Sequence, residues 1–149
     1  MKRGSGDLES ASSAGVRLTL ERSDGTSGTA VVPVLRLEGE YDIDTVSEVD
    51  RFLRRRLGPF YQRRTLVIDL GAVTFVDSSF IGFVVRLAGE ERRGRGEVVI
   101  ANPVGPVRRL LCKVGLPNLV PMYESAEEAL RALREATAPL IPPAFSLGG

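Results

Sequence analysis

The sequence of 149 residues contains no histidine, no tryptophan and a single cysteine, Cys112. Without histidine, the chain cannot form Ser-His-Asp or Cys-His catalytic groups, and it lacks the side chain that most often transfers protons near neutral pH. A single cysteine excludes a disulfide within the chain and any metal site built from several thiolates. These absences point away from most hydrolytic enzymes and fit a reducing, cytoplasmic compartment.

The sequence also lacks an excess of charge of either sign and has no long apolar run. Twenty basic and nineteen acidic residues give a formal net charge of +1, whereas non-specific binding to nucleic acid usually requires a strongly basic balance. The arginines between positions 51 and 64 are better explained as a solvated helix face. No stretch reaches the roughly 18 apolar residues that span a membrane. We therefore expect neither nucleic acid nor a membrane among the partners.

The length is typical of one domain. Residues 1–15 are small and polar and have no apolar core typical of a signal peptide, whereas residues 137–149 are rich in proline and glycine. Both ends are therefore predicted to be flexible tails. The folded domain is expected to span residues 16–136.

The first half of this domain predicts a hairpin followed by a helix. Residues 16–21 and 30–38 alternate or are rich in β-branched side chains, and Pro33 favours an edge or a bulge for the second strand. Thr45 and Glu48 have the spacing of a capping box at the start of an amphipathic segment. The first helix is therefore predicted to begin near Thr45.

The second half alternates short apolar runs with helical periods. Helices are predicted after the apolar runs at 73–76, 97–101 and 119–122. The last helix begins with the capping-box pair Ser125 and Glu128. Such alternation is typical of an α/β fold, here with a mixed sheet of four to five strands and about four helices. The predicted strands are 66–70, 73–76, 97–101 and 119–122.

The stretch with the clearest chemistry is Asp77-Ser78-Ser79, which follows a buried strand and begins an amphipathic helix. A phosphate on Ser78 or Ser79 would be attracted by the unpaired N–H groups and the positive end of the helix dipole. The carboxylate of Asp77 would repel it. A simpler interpretation is that Asp77 or Ser78 only caps the helix. The spacing leaves both interpretations open.

Several segments together resemble the STAS domain of bacterial anti-sigma factor antagonists. The resemblance spans residues 16–136 and rests on the segment 36–42, on 66–82, and on the strand and helices that follow. The family motif is Asp-Ser-Ser/Thr-Gly-Leu-Gly, and this chain has Asp-Ser-Ser-Phe-Ile-Gly at positions 77–82. The resemblance implies a single STAS-like domain that acts as a regulator and not as an enzyme, with no catalytic residue, cofactor or metal.

The resemblance also implies a phosphorylation switch at Ser78. In that family, a partner that is both anti-sigma factor and serine kinase binds the unphosphorylated antagonist, which frees the sigma factor. Phosphorylation separates the two proteins, and a PPM-type phosphatase restores binding. The partner-binding residues implied for this chain are Glu40, Asp42, Asp77, Ser79, Phe80, Ile81 and Gly82.

Phe80 departs from the family motif because it replaces the first glycine. It could obstruct the kinase, anchor a particular partner, or belong to the core, and the sequence leaves all three open. The alternative function is a STAS interaction module that is not phosphorylated and acts in another regulatory, stress-signalling or transporter complex. A hydrolase with Ser78 as nucleophile lacks a histidine base, and a metal site on Asp69 and Asp77 lacks a third ligand. The oligomeric state stays open.

Overall fold

The computed structural model describes residues 8–13, 16–23, 32–61, 64–94 and 97–137. These residues form six strands, four helices and a short 3-10 helix at Leu116–Asn118. The strands are β1 (Leu8–Ser13), β2 (Val16–Ser23), β3 (Val32–Tyr41), β4 (Leu66–Val76), β5 (Val98–Ala101) and β6 (Met122–Tyr123). The helices are α1 (Ile43–Leu57), α2 (Ser78–Gly94), α3 (Gly105–Lys113) and α4 (Ala126–Thr137).

All six strands belong to one mixed sheet whose spatial order follows the chain. Strands β1, β2 and β3 pair antiparallel, whereas β3, β4, β5 and β6 pair parallel. The parallel strands are connected through helices, as expected for crossover connections. The predicted α/β class with a mixed sheet and four helices is confirmed, although the sheet has six strands instead of four to five.

The additional strand lies in the segment predicted as an N-terminal tail. β1 pairs with β2 from Leu8 opposite Glu21 to Ser13 opposite Val16. The tail prediction is therefore wrong for residues 8–13. Their sequence, LESASS, has few apolar side chains and little β-propensity, so the strand depends on backbone pairing that no local pattern indicates. Residues 24–31, between the two strands of the predicted hairpin, and residues 138–149 of the predicted C-terminal tail lie outside the described residues.

β3 is an interior strand, so the predicted edge is wrong, whereas its pairing with β4 shifts register between Arg36 and Glu38 and between Gly39 and Glu40, as at a β-bulge. Pro33 lies opposite Arg22 of β2, and the pairing with β4 begins one residue later, at Val34. Its missing N–H group is tolerated because it lies at the start of the strand. β4 is likewise one continuous strand where the sequence indicated two short runs at 66–70 and 73–76.

The two faces of the sheet carry separate apolar clusters. Helices α1, α2 and α3 cover the larger cluster, in which Leu35, Leu53 and Ile68 are completely buried. Helix α4 covers the smaller cluster, which includes Val67 and Ala129. Because side chains alternate across a strand, successive residues of β4 supply the two faces in turn. This packing fixes α1 and α2 on the same face, where both helices begin at the same edge of the sheet.

Candidate functional site

Two helices begin side by side at the carboxyl edge of the parallel strands. Tyr41 at the end of β3 pairs with Val76 at the end of β4. The Asp77 N–H group donates to the Tyr41 carbonyl oxygen at 3.2 Å. Each strand is followed directly by an aspartate and a helix, so Asp42 precedes α1 and Asp77 precedes α2. The fold thus brings together two helix starts that lie 35 positions apart in the sequence.

Asp42 is the N-cap of α1. Its Oδ1 atom accepts hydrogen bonds from the N–H groups of Asp44 at 3.0 Å and Thr45 at 3.1 Å. The Thr45 Oγ1 atom accepts one from the Asp42 N–H group at 2.7 Å, which completes a capping box. Hydrogen bonds to its carboxylate, of which the one from the Thr45 N–H group has the largest effect, hold the pKa of Asp42 below its usual value. The predicted box at Thr45 and Glu48 is wrong, because α1 begins one turn earlier.

Asp77 caps α2 in a similar way. Its Oδ1 atom accepts hydrogen bonds from the N–H groups of Ser79 at 2.8 Å and Phe80 at 3.4 Å. The sequence left open whether Asp77 or Ser78 caps this helix, and in the structure Asp77 is the cap. Ser78 is the first residue of the helix and is exposed, whereas Ser79 is half-buried. The Asp77 carboxylate therefore occupies N–H donors that a phosphate at this helix start would otherwise use.

Phe80 belongs to the core. Its side chain is 0% exposed, and its ring centroid lies 5.9 Å from that of Tyr41 in a tilted arrangement. Phe80 was also predicted as a partner-binding residue, and its burial corrects that prediction, since a fully buried ring neither contacts a partner nor obstructs a kinase. Phe83 and Val84, three and four positions later, are buried on the same helix face. The spacing of three and four positions between these apolar residues was the sequence signal that Phe80 could belong to the core.

The other residues predicted for partner binding have varied exposure. Glu40 and Asp42 are exposed and lie at the end of β3 and just after it. Ile81 and Gly82, in the first turns of α2, are half-buried. The structure therefore places Glu40 and Asp42 at the same edge of the sheet as Ser78, where the parallel strands end and the helices begin. Their role in binding a partner remains a prediction.

A groove between α1 and α2, with a volume of about 480 Å³, was not foreseen from the sequence. Its lining includes the basic residues Arg51, Arg54 and Arg86 and the apolar residues Val46, Phe83 and Leu87. The hydroxyl of the buried Tyr61 donates to Asp50 Oδ1 at 2.6 Å, and Arg54 Nε donates to Asp50 Oδ2 at 3.1 Å. The four-residue spacing of Ser78, Gly82 and Arg86 was the sequence signal that places these three residues on one face of α2.

Asp69 and Asp77, which were considered as a metal-binding pair, have separate partners. Asp69 Oδ1 accepts a hydrogen bond from the Gly71 N–H group at 2.9 Å, and Asp69 Oδ2 lies 3.4 Å from Arg36 Nε. Within the part of the chain that the structure describes, no three acidic or cysteine side chains are grouped to hold a metal ion. Across the same residues, no helix combines the length and apolar character needed to cross a membrane.

The cap at Asp77 leads to a stability prediction. Asp77→Ala is expected to lower the free energy of unfolding by about 1 kcal/mol, because the Ser79 N–H group loses its acceptor and the Phe80 N–H group keeps only its bond to the Asp77 carbonyl oxygen. Asp77→Asn should retain most of the stability, since asparagine caps helices about as well as aspartate. Urea denaturation followed by circular dichroism measures both changes. An equal loss in the two variants would contradict the capping role.

Gly82 leads to a second prediction, because the structure leaves room for a side chain there. A Cβ atom at Gly82 would have Arg86 Nη1 at 3.9 Å as its nearest neighbour, and one at Gly89 would meet nothing within 4 Å. Gly82→Ala and Gly89→Ala are therefore each expected to raise the free energy of unfolding by about 0.5–1 kcal/mol, the cost of glycine inside a helix. Thermal denaturation tests this, and a loss of stability in Gly82→Ala alone would show that Gly82 is needed for internal packing.

Taken together, these features define a small α/β domain whose parallel strands present two capped helix starts at one edge. The STAS domain family model matches residues 13–129. The chain therefore belongs to the STAS domain family.

Several proteins similar to this chain are anti-sigma factor antagonists. The anti-sigma F factor antagonist of Paenibacillus polymyxa is 31% identical over 105 residues, which cover 68% of this chain and 86% of that protein. An anti-sigma factor antagonist from Mycobacterium paratuberculosis has a similar structure, with a TM-score of 0.59, 26% identity and coverage of 78% and 94% of the two chains. Unphosphorylated SpoIIAA matches with a TM-score of 0.60, 24% identity and coverage of 78% and 96%. The Bacillus SpoIIAA structure in its phosphorylated form matches with a TM-score of 0.55, 24% identity and coverage of 77% and 99%.

Proposed function

We propose that this protein is an anti-sigma factor antagonist that works by partner switching in the cytoplasm. In its unphosphorylated form it binds an anti-sigma factor that is also a serine kinase, and the sigma factor is freed. Phosphorylation of Ser78 by that kinase ends the interaction, and a PPM-type phosphatase restores it. The protein is then the substrate of the two enzymes and does not itself catalyse a reaction.

The observation that carries the proposal is the exposed Ser78 at the edge where α1 and α2 begin. The hydroxyl group is accessible to a kinase and lies in the first turn of α2, next to the strand edge that carries Glu40 and Asp42. The similarity to the anti-sigma F factor antagonist of Paenibacillus polymyxa supports the general role. That SpoIIAA has been determined in a phosphorylated form supports a phosphorylated state for this chain too.

The physical basis of the switch is the change of charge at an interface. A serine phosphate carries about −1.5 to −2 charges near neutral pH. If the partner docks over a neutral Ser78 hydroxyl, the added group must either be desolvated or displace the partner. Because Asp77 and Asp42 already place two carboxylates at these helix starts, the phosphate also adds to existing negative charge. Dissociation then requires no change of fold.

The test is an affinity pulldown from the source cell's lysate with the wild-type protein, Ser78→Ala and Ser78→Asp as baits, followed by mass spectrometry. The proposal predicts an anti-sigma factor kinase on the wild-type and Ser78→Ala baits and its absence from the Ser78→Asp bait. The same partners on all three baits would contradict the switch and support the alternative of a constitutive STAS interaction module. Circular dichroism of each bait controls for folding.

A further inference from the structure

Ser78, Gly82 and Arg86 form one row along α2. Residues four positions apart lie above one another on a helix, so the three positions follow the same face over two turns. Ser78 and Arg86 are exposed, and Gly82 between them has no side chain. Long side chains on a helix lean toward its N-terminus, so Arg86 leans toward Ser78.

The position of the Arg86 guanidinium supports this geometry. A Cβ atom built on Gly82 would lie 3.9 Å from Arg86 Nη1, and no other atom outside the helix backbone and the adjacent residues would come within 4 Å. The guanidinium therefore lies over Gly82, one helical turn from Ser78. One turn of helix rises about 5.4 Å, a distance that a phosphoserine and an arginine side chain can bridge together.

Arg86 differs from the other arginines of the α1–α2 groove in its partners. Arg54 forms an ion pair with Asp50 at 3.1 Å, and Arg51 lies 3.7 Å from Glu48. Among the residues whose side chains the structure describes, no carboxylate forms an ion pair with Arg86. Its guanidinium can therefore accept a new anionic partner without breaking an existing ion pair.

The start of α2 offers little to a phosphate on Ser78, because the Asp77 carboxylate already accepts from the Ser79 and Phe80 N–H groups. We propose that Arg86 binds the phosphate on Ser78 across Gly82, through charge-assisted hydrogen bonds from its guanidinium. The proposal deepens the switch described above and rests on it for its biological meaning. It adds that phosphorylation also changes the surface above Gly82, because the phosphate and Arg86 close over it.

The test uses the full-length chain with phosphoserine inserted at position 78 during translation, so that no kinase is needed. Phosphorus-31 NMR then follows the second ionisation of the phosphate against pH at low salt. An arginine that binds the phosphate favours its doubly charged form and lowers this pKa. Relative to the phosphorylated parent, Arg86→Gln is expected to raise it by about 0.7 pH unit, the effect of two unit charges about 4 Å apart in water.

Arg131→Gln is the matched control, because Arg131 is exposed on α4, which packs on the opposite face of the sheet. It removes the same charge and should leave the phosphate pKa unchanged, whereas Arg86→Lys should restore part of the shift. All variants keep the other charged groups of the two helix starts and the groove. These groups are Asp42, Asp44, Asp50, Arg51, Arg54 and Asp77. The difference in phosphate pKa between Arg86→Gln and the parent therefore reports the effect of Arg86 alone.

An unchanged phosphate pKa in Arg86→Gln, or an equal change in Arg131→Gln, would overturn the proposal. A second variant, Gly82→Leu, places a side chain between the two groups and should raise the phosphate pKa as Arg86→Gln does. Gly89→Leu, one helical turn beyond the row, should not. The phosphate is inserted without a kinase, so the titration tests only the contact between Arg86 and the phosphate. Whether Ser78 is phosphorylated naturally is tested separately, by the experiments with the anti-sigma factor kinase.

Discussion

Phe80→Ala is expected to lower the free energy of unfolding by about 3–5 kcal/mol, as other truncations of buried phenylalanines do. The ring is completely buried and packs against the equally buried Tyr41 between the sheet and α2. Its removal leaves a cavity directly beneath the helix that carries Ser78. Urea denaturation followed by circular dichroism measures the loss.

Phe75→Ala is the matched control for this prediction. Phe75 lies near the end of β4 and is 49% exposed, so its truncation is expected to cost less than about 1 kcal/mol. If Phe80 were a partner anchor, Phe80→Ala would retain its stability and lose only partner binding. That result would contradict the assignment of Phe80 to the core. It would also contradict the conclusion that the phenylalanine in place of the family glycine serves internal packing.

Ser78→Asp is expected to weaken binding to the anti-sigma factor kinase at least tenfold relative to Ser78→Ala, a change of about 1.4 kcal/mol. Ser78 is exposed, so alanine removes little, whereas aspartate places a charge where the proposed partner docks. Isothermal titration calorimetry with the purified partner measures both affinities.

Asn118→Asp controls for the added charge itself. Asn118 is exposed and lies after α3, in the 3-10 helix that leads back toward the start of β6. The same charge at this position is expected to leave the affinity unchanged. Equal affinities of Ser78→Asp and Ser78→Ala would show that the helix start is not part of a charge-sensitive interface, whatever the partner.

Much of the fold could be predicted from local patterns, and the exceptions have physical causes. The helices follow from apolar periods. The Ser125 half of the last predicted capping box is confirmed, since its Oγ atom accepts from the Glu128 N–H group at 3.1 Å, whereas the Glu128 carboxylate accepts from the Glu124 N–H group. The start of α1 was displaced because Asp42 and Thr45 form the same motif one turn earlier. β1 was missed because its small, polar sequence has little β-propensity, although the strand with which it pairs begins only three positions after its end.

The site could be predicted only in part, because its parts are brought together by the sheet. The start of α2 at Asp77 and Ser78 followed from the sequence, but its contact with the end of β3 depends on β3 and β4 being parallel neighbours. The period of Phe80, Phe83 and Val84 is compatible with a buried helix face, but only the packing of α2 against the sheet shows that Phe80 points inward. The approach of Arg86 to Gly82 likewise requires the side-chain geometry of the folded helix.

The most direct test of the central claim is to map the phosphate that the anti-sigma factor kinase transfers to this protein. The purified kinase and ATP are incubated with the wild-type protein, Ser78→Ala and Ser79→Ala, and the products are analysed by intact-mass and peptide mass spectrometry. The account predicts a single phosphate on Ser78, lost in Ser78→Ala and retained in Ser79→Ala, with release of the kinase as it accumulates. A phosphate on Ser79, or none on a protein that still binds the kinase, would contradict it.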